Sequence, residues 1–426
     1  MRLWLPFIFI GLLSACSDDG KAPVGATSSG SSIPLVEGMQ KNLQRQFLNA
    51  KSGDIISIPA GKFAMTRSLS LKVDGVTVRG AGIDKTILSF KNQVSGAEGM
   101  LVTANDFTIE DLAIEDAKGD ALKINEGKNI IIRRVRTEWT NGPATENGAY
   151  GIYPVQTQNV LIEGVVAIGA SDAGIYVGQS QQVIIRDSRA EYNVAGIEVE
   201  NTLDADVYGN VAINNTGGVL VFNMPNLSQE GRRTRIFNNR IEDNNTPNFA
   251  LPGGAVASVP AGSGISINSN DDVEIFDNDL KNNKTAHIVI SSVYSTNYSD
   301  DKTVSAFDAY PETISIHDNR YAGGGDNPDT DYLPQLKNAV FGEEGVFPNV
   351  IWDGFINAKL AVDGVLPAAL QICIYNEASS AVFNIDAPNQ FANPRVDEQQ
   401  HQCQHAPLPA IELLSAANTR PPGQGE

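Results

Sequence analysis

Four side chains able to do chemistry recur at one slot of a repeating pattern: Lys123, Tyr153, Tyr176 and Glu198. Each directly follows a small residue and an apolar one (Ala121-Leu122, Gly151-Ile152, Gly174-Ile175, Gly196-Ile197). Two residues further on stand Asn125, Val155, Gly178 and Glu200. Tyrosine rings offer flat apolar faces with a polar edge and suit a sugar ring, while a lysine and glutamates supply hydrogen bonds and an acid or a base. Asp120 and Asp172 fall at the rim of the same slots, as two carboxylates suited to a cation such as calcium. The same residue types also suit a sheet that is merely solvated. What decides between the two is how the chain arranges them.

The elements that must position these residues are short. From Asn159 to Asn215 the sequence runs three times through an apolar alternation, a polar corner and a restart at Gly-apolar. Ile162, Ile185 and Val207 hold one slot, 23 and 22 residues apart. That period has room for about three strands of four or five residues and none for a helix, which predicts a solenoid whose coils bury their apolar faces on one another. The inward column then reads Val78, Ile109, Ile132, Ile162, Ile185, Val207, Ile236, Ile275, Ile316. With an earlier coil at Ile55–Ile58, it implies about ten rungs, roughly 45–50 Å of stack. Three positions after the later members come Ser188, Asn210, Asn239, Asn278 and Asn319, a corner ladder in which each amide both donates and accepts. An outward column, Glu110, Arg133, Glu163, Arg186, then Tyr208, Phe237, Phe276, His317, predicts charge pairs followed by stacked rings. Beside it Ile131, Leu161 and Ile184 are apolar, so a loop or tail is expected over that face.

The start of the repeat region is more specific. Leu35 to Ala50 has helical apolar spacing and predicts a helix across the open first coil. After it come GDIISIPAGKF (53–63) and VTVRGAG (76–82). This opening, with GDALKI, GASDAGIYVGQS and NNTGGVLVF further on, resembles the right-handed parallel β-helices of the pectate-lyase-like superfamily, and within it a subgroup of repeat lipoproteins without assigned activity. The resemblance spans about residues 35–325 and implies an all-β solenoid. It places the chain among polysaccharide lyases, epimerases and glycosidases, and among non-enzymatic surface and periplasmic proteins. The Asp-Pro-His-Asp pattern of alginate epimerases and the acidic pairs with Gly-His-Gly of pectin-cleaving glycosidases are missing. His287 and His317 fall in different columns with no acidic partner evident from spacing. Lys123 with Asp120 is the tidy base candidate on the polar face.

The net charge of −19 excludes nucleic acid as a natural partner and disfavours polyanionic glycans without a cation. Arg2, the apolar run Leu3–Leu13 and Leu13-Ser14-Ala15-Cys16 resemble a bacterial lipoprotein signal, which implies lipid on Cys16 and, with Ser17 following, the outer membrane. An ordinary signal peptide with an incidental cysteine is the alternative. In an exported chain Cys373 and Cys403 read as a disulfide, closing a loop of about 31 residues for roughly 3–4 kcal/mol; free thiols, or a metal held with His401 and His405, remain alternatives. The expected organisation is a signal peptide (1–15), a Ser/Gly-rich tether (16–34), a capped β-helix (35–331), and an irregular C-terminal cap and tail (332–426). In that last part Gln371–Asp386 reads as a hairpin and the chain from Pro407 as extended or disordered. The functional expectation is a monomeric outer-membrane lipoprotein that binds a polysaccharide through Lys123, Tyr153, Tyr176, Glu198, Glu200, Asp120 and Asp172, with lyase or epimerase activity as its enzymatic form. A non-enzymatic scaffold or a metal-handling periplasmic lipoprotein is the competing reading. No cofactor other than calcium is expected.

Overall fold

The computed structural model describes residues 35–36, 38–296 and 307–414. The expected signal peptide, the lipidation site Cys16, the tether and the end of the tail lie outside these residues. Within them the chain winds as a parallel β-helix with three strands per coil. One coil shows the pattern: Gln181–Arg186 and Arg189–Glu191 lie in a first sheet and Ala195–Glu200 in a second. Each pairs in parallel with its counterpart one coil later. Among the described residues no helix is long and apolar enough to cross a membrane.

The inward column holds the predicted register, includes the expected earlier coil at Ile56 and gains one member, Ile374, at its far end. Ile56, Val78, Ile109, Ile132, Ile162, Ile185, Val207, Ile236, Ile275, Ile316 and Ile374 stand on successive strands, eleven levels in all among the described residues. All are buried, and β-branched side chains suit such a stack. Ile374 corrects the expectation of a C-terminal hairpin over Gln371–Asp386. Ile372–Tyr375 pairs in parallel with Ile314–His317, and Val382–Asn384 with Val350–Trp352, so this stretch is a further coil. Two apolar strands separated by a polar corner have the same sequence signature in either arrangement. Arg395–Asp397 runs antiparallel to Val382–Asn384 and ends the second sheet.

The first coil is capped as expected. Helix α1 (Met39–Asn49) is shorter than the apolar spacing suggested, because Leu35–Val36 leaves it to pair with Lys62–Phe63. It buries Leu43 and Phe47 on the end of the core. Gln40 receives the Thr66 N–H and donates to Arg67 O, while Gln44 does the same for Ser70 N–H and Ser70 O. Two side-chain amides thus stand in for the missing strand at an open sheet edge.

Corners carry two asparagine ladders. In the expected one, Asn210, Asn239, Asn278 and Asn319 each pass an amide hydrogen bond to the next coil, starting from Ser188 and ending on Glu377. The residue before each ladder member (Asp187, Gly209, Asn238, Asp277, Asp318) has φ between 50° and 67°, the left-handed conformation that turns the corner. A second ladder follows five residues later through Asn193, Asn215, Asn244 and Asn283, ending at His287.

The outward column of the first sheet forms as predicted. Arg133 pairs with Glu110 and Arg186 with Glu163, and Tyr208, Phe237, Phe276 and His317 stack at 4.8–5.1 Å, with Tyr375 added at 4.5 Å. His317 does have acidic partners, Glu274 at 3.2 Å and Asp318 at 2.8 Å, because the neighbouring column and its own corner bring them in. The neighbouring column runs Cys373, Ser315, Glu274, Arg235, Asp206, Ile184, Leu161, Ile131. Cys373 is bonded to Cys403 at its end. From there the tail runs back along the column. His405 donates to Gln371 O, and the N–H groups of Leu408, Ile411 and Leu414 donate to Glu274, Asp206 and Asn159. His401 donates to Ile372 O, so the two histidines of HQCQH bind main-chain carbonyls beside the disulfide.

Candidate acid–tyrosine site

The site lies on the outer face of the second sheet. Seven consecutive strands of that sheet are β1 (Leu122–Asn125), β2 (Tyr150–Val155), β3 (Ala173–Gly178), β4 (Ala195–Glu200), β5 (Gly217–Phe222), β6 (Ser263–Asn268) and β7 (Ala286–Ser291). Strict inward–outward alternation puts Ile152, Ile175 and Ile197 in the core and Tyr153, Tyr176 and Glu198 outside. The register pairs Lys123 with Tyr153 and Tyr176 with Glu198 on adjacent strands, and Gly178 with Glu200.

All seven residues singled out from the sequence come together in one continuous patch. Asp120 lies 3.7 Å from Lys123, whose ammonium sits 4.6 Å over the Tyr153 ring. Tyr153 meets Tyr176 edge-on at 4.9 Å, and the Tyr176 hydroxyl donates to Glu200 at 2.7 Å. Asp172 faces the Tyr150 hydroxyl and the Glu198 carboxyl. Tyr150, missed in the sequence, completes the cluster at 4.4 Å from Tyr153 and 4.7 Å from Tyr176. The available signal was its place three residues before Tyr153, matching Asp120 before Lys123. Gly178 is required by this packing. A Cβ there would stand 2.1 Å from the Tyr176 hydroxyl, so only glycine lets that ring lie down toward Glu200.

The face is less open than its sequence suggested. Tyr176 is 3% and Glu198 1% exposed, while Lys123, Tyr153, Tyr150, Asp120, Asp172 and Glu200 are half-buried. Between Met224 and Ser263 the chain forms two loops separated by the strands Arg232–Phe237 and Arg240–Glu242. The second loop packs Phe249, Val256 and Val259 against Tyr176, Leu220 and Phe222 and walls off one end of the patch. On the other side Trp139 is buried and donates to Ala117 O, fixing the Trp139–Gly148 insertion beside Tyr150.

Burial sets the electrostatics. It pushes the Asp120 carboxyl up to about 6, with Lys123 opposing and Glu98 adding repulsion. It holds Asp172 and Glu198 well above the usual carboxylate range; repulsion from Glu200 and Asp120 adds to burial at Asp172, against its hydrogen bonds with Tyr150 and Glu198, and repulsion from Asp172 and Glu200 adds to burial at Glu198. Glu200 is raised by burial against the pull of the Tyr176 hydroxyl. The three tyrosines are raised in turn by burial and by these carboxyls. One Glu198 oxygen, Oε2, is buried with no hydrogen-bond partner among the described residues. Asp172 and Glu198 together therefore favour keeping a proton near neutral pH, and such a pair can give and take protons. Asp120 is paired with Lys123, and Asp172 faces Tyr150 and Glu198. Among the described residues no three His, Cys, Asp or Glu side chains are grouped to hold a metal ion.

A family model described as a right-handed β-helix region matches residues 70–229 and 145–320. The chain belongs to the right-handed β-helix family. Among solved structures, this β-helix is similar to the mannuronan C-5 epimerase A-module of Azotobacter vinelandii, at 18% identity over 68% of this chain and 84% of that one, with a TM-score of 0.49. A periplasmic alginate epimerase aligns at 14% identity over 68% of this chain and 82% of that one, with a TM-score of 0.40. An alginate lyase from a Paenibacillus strain aligns at 13% over 68% and 96%, with a TM-score of 0.33. No curated protein matches the chain by sequence.

Proposed function

We propose that this β-helix binds a polysaccharide along its second sheet, over Lys123, Tyr153 and the half-buried carboxyls Asp120, Asp172 and Glu200, and that lipid on Cys16 holds it at the outer membrane. The observation that supports this reading is the unbroken chain of contacts from Asp120 through Lys123, Tyr153 and Tyr176 to Glu200, built from four adjacent strands and the corner before the first onto one face. The buried members, Tyr176 and Glu198, hold the floor. The half-buried members offer hydrogen bonds and the edge of a ring. The strongly acidic chain points to a neutral glycan, or one with few carboxylates. If the site also modifies its glycan, the Asp172–Glu198 pair supplies the acid–base step.

A glycan array of neutral and uronate polysaccharides tests the binding. At least one glycan is expected to bind the mature protein, and Tyr153→Ala is expected to weaken it by up to about tenfold, the range of one aromatic contact. Binding unchanged in both Tyr153→Ala and Lys123→Ala removes the site. Membrane release by Cys16→Ser tests the anchor separately.

A further inference from the structure

Four strands further along the same sheet, beyond the loop that walls off the tyrosines, lies a second cavity of about 80 Å³. Its floor is Ser266 and Asn268 on β6 and Val289 on β7, and its walls are Val259 of that loop, Leu333 of helix α2 (Leu333–Phe341) and Tyr332. Ser266 is 5% and Asn268 1% exposed. Even so, the Ser266 hydroxyl and the Asn268 side-chain N–H₂ have no hydrogen-bond partner among the described residues, and the Asn268 carbonyl is already used by Ser269. Buried polar groups are paired as a rule, so two unpaired donors lining one cavity need an occupant that accepts hydrogen bonds.

The walls narrow the chemistry of that occupant. The charged group at the cavity is Asp353, and it is saturated: it accepts from Ser292 N–H, the Ser292 and Ser295 hydroxyls and Phe355 N–H. An anion would meet that carboxylate without a counter-charge, and a cation would find no free oxygen on it. Val259, Val289, Leu333 and Ile351 offer apolar surface. Ser266 and Asn268, two residues apart on one strand face, set their donors about 6.6 Å apart along the strand. We infer that this cavity binds a single small, uncharged, polyhydroxylated ring, such as one sugar unit or a cyclitol, with its oxygens accepting from Ser266 and Asn268 and its C–H face on Val289 and Leu333. The cavity shares none of the polar residues of the Asp120–Glu200 patch and meets it only through the apolar wall of Phe222 and Val259, so the two readings stand or fall separately.

Saturation-transfer NMR on the folded protein, with methyl glucoside, methyl mannoside, methyl galactoside and myo-inositol as probes, tests the inference. At least one probe is expected to bind. Ser266→Ala/Asn268→Leu is expected to weaken it by about tenfold or more through two lost hydrogen bonds. Val289→Phe, which fills the cavity while keeping both donors, is expected to abolish it, with circular dichroism showing each variant folded. Tyr153→Ala is expected to leave it unchanged. Absence of binding by all four probes, or equal binding by the double variant, overturns the inference and assigns the cavity to water.

Discussion

Burial and the neighbouring carboxyls Asp172 and Glu200 push Glu198 well above the usual carboxylate range. Its folded-state pKa lies above the unfolded value, so the stability linked to its proton is fully present below the unfolded pKa and is lost as pH rises through the folded one. Glu198→Gln keeps the shape, removes the ionisation and gives Asp172 a donor. It is therefore expected to change the melting temperature little near pH 4 and to raise it progressively toward pH 8, which calorimetry across that range would show; a difference independent of pH would mean the carboxyl is not strained by burial. Gly178→Ala tests the floor of the same patch. The added methyl meets the Tyr176 hydroxyl and is expected to cost about 1–3 kcal/mol in denaturant unfolding, as overpacking does. The slot pattern made Lys123, Tyr153, Tyr176, Glu198 and Glu200 legible in the sequence, because strand alternation and a constant period determine which residues are neighbours. Their burial was not legible. It depends on Phe249, Val256 and Val259, contributed by a loop with no period of its own.

The ladders show what repetition specifies at the level of an element. Asn239 donates to Val207 O and Asn278, and its carbonyl receives both the N–H and the amide of Asn210. Asn239→Ala leaves these buried groups unpaired in the middle of the stack, and urea unfolding is expected to register a loss of about 2–4 kcal/mol. The same change at Asn319, which lies at the ladder's end on Glu377, is expected to cost less. The second ladder was readable in principle, since each member stands five residues after one of the first. It was masked by Asn-rich corners in which every asparagine resembled its neighbour. The extra coil at Ile372–Asn384 was hidden for a different reason. The insertions at 323–349 and 353–371 stretch the period until parallel and antiparallel returns are indistinguishable by spacing.

At the scale of the whole molecule, a solenoid gains its stability coil by coil and has to protect its ends and faces. α1 closes one end, and the tail covers the column that carries Ile184, Leu161 and Ile131. Ending the chain after Cys403 keeps the disulfide but removes the main-chain contacts of Leu408, Ile411 and Leu414, each contributing about 1 kcal/mol. The truncated protein is expected to bind more of a hydrophobic dye and to melt at a lower temperature, whereas an unchanged dye signal would show that the tail shields nothing. The tail also has an arithmetic. Its anchors fall at positions 405, 408, 411 and 414, and their partners Gln371, Glu274, Asp206 and Asn159 occupy every second level of the stack. Three residues of polyproline II advance about 9.3 Å, and two strand spacings advance about 9.6 Å. The tail and the β-helix are thus two nearly commensurate rulers laid side by side. A coil gained or lost between Asn159 and Gln371 would shift the partners by half a step, so along this stretch the protein can lengthen or shorten without re-anchoring its tail only by pairs of coils, with three tail residues for each pair.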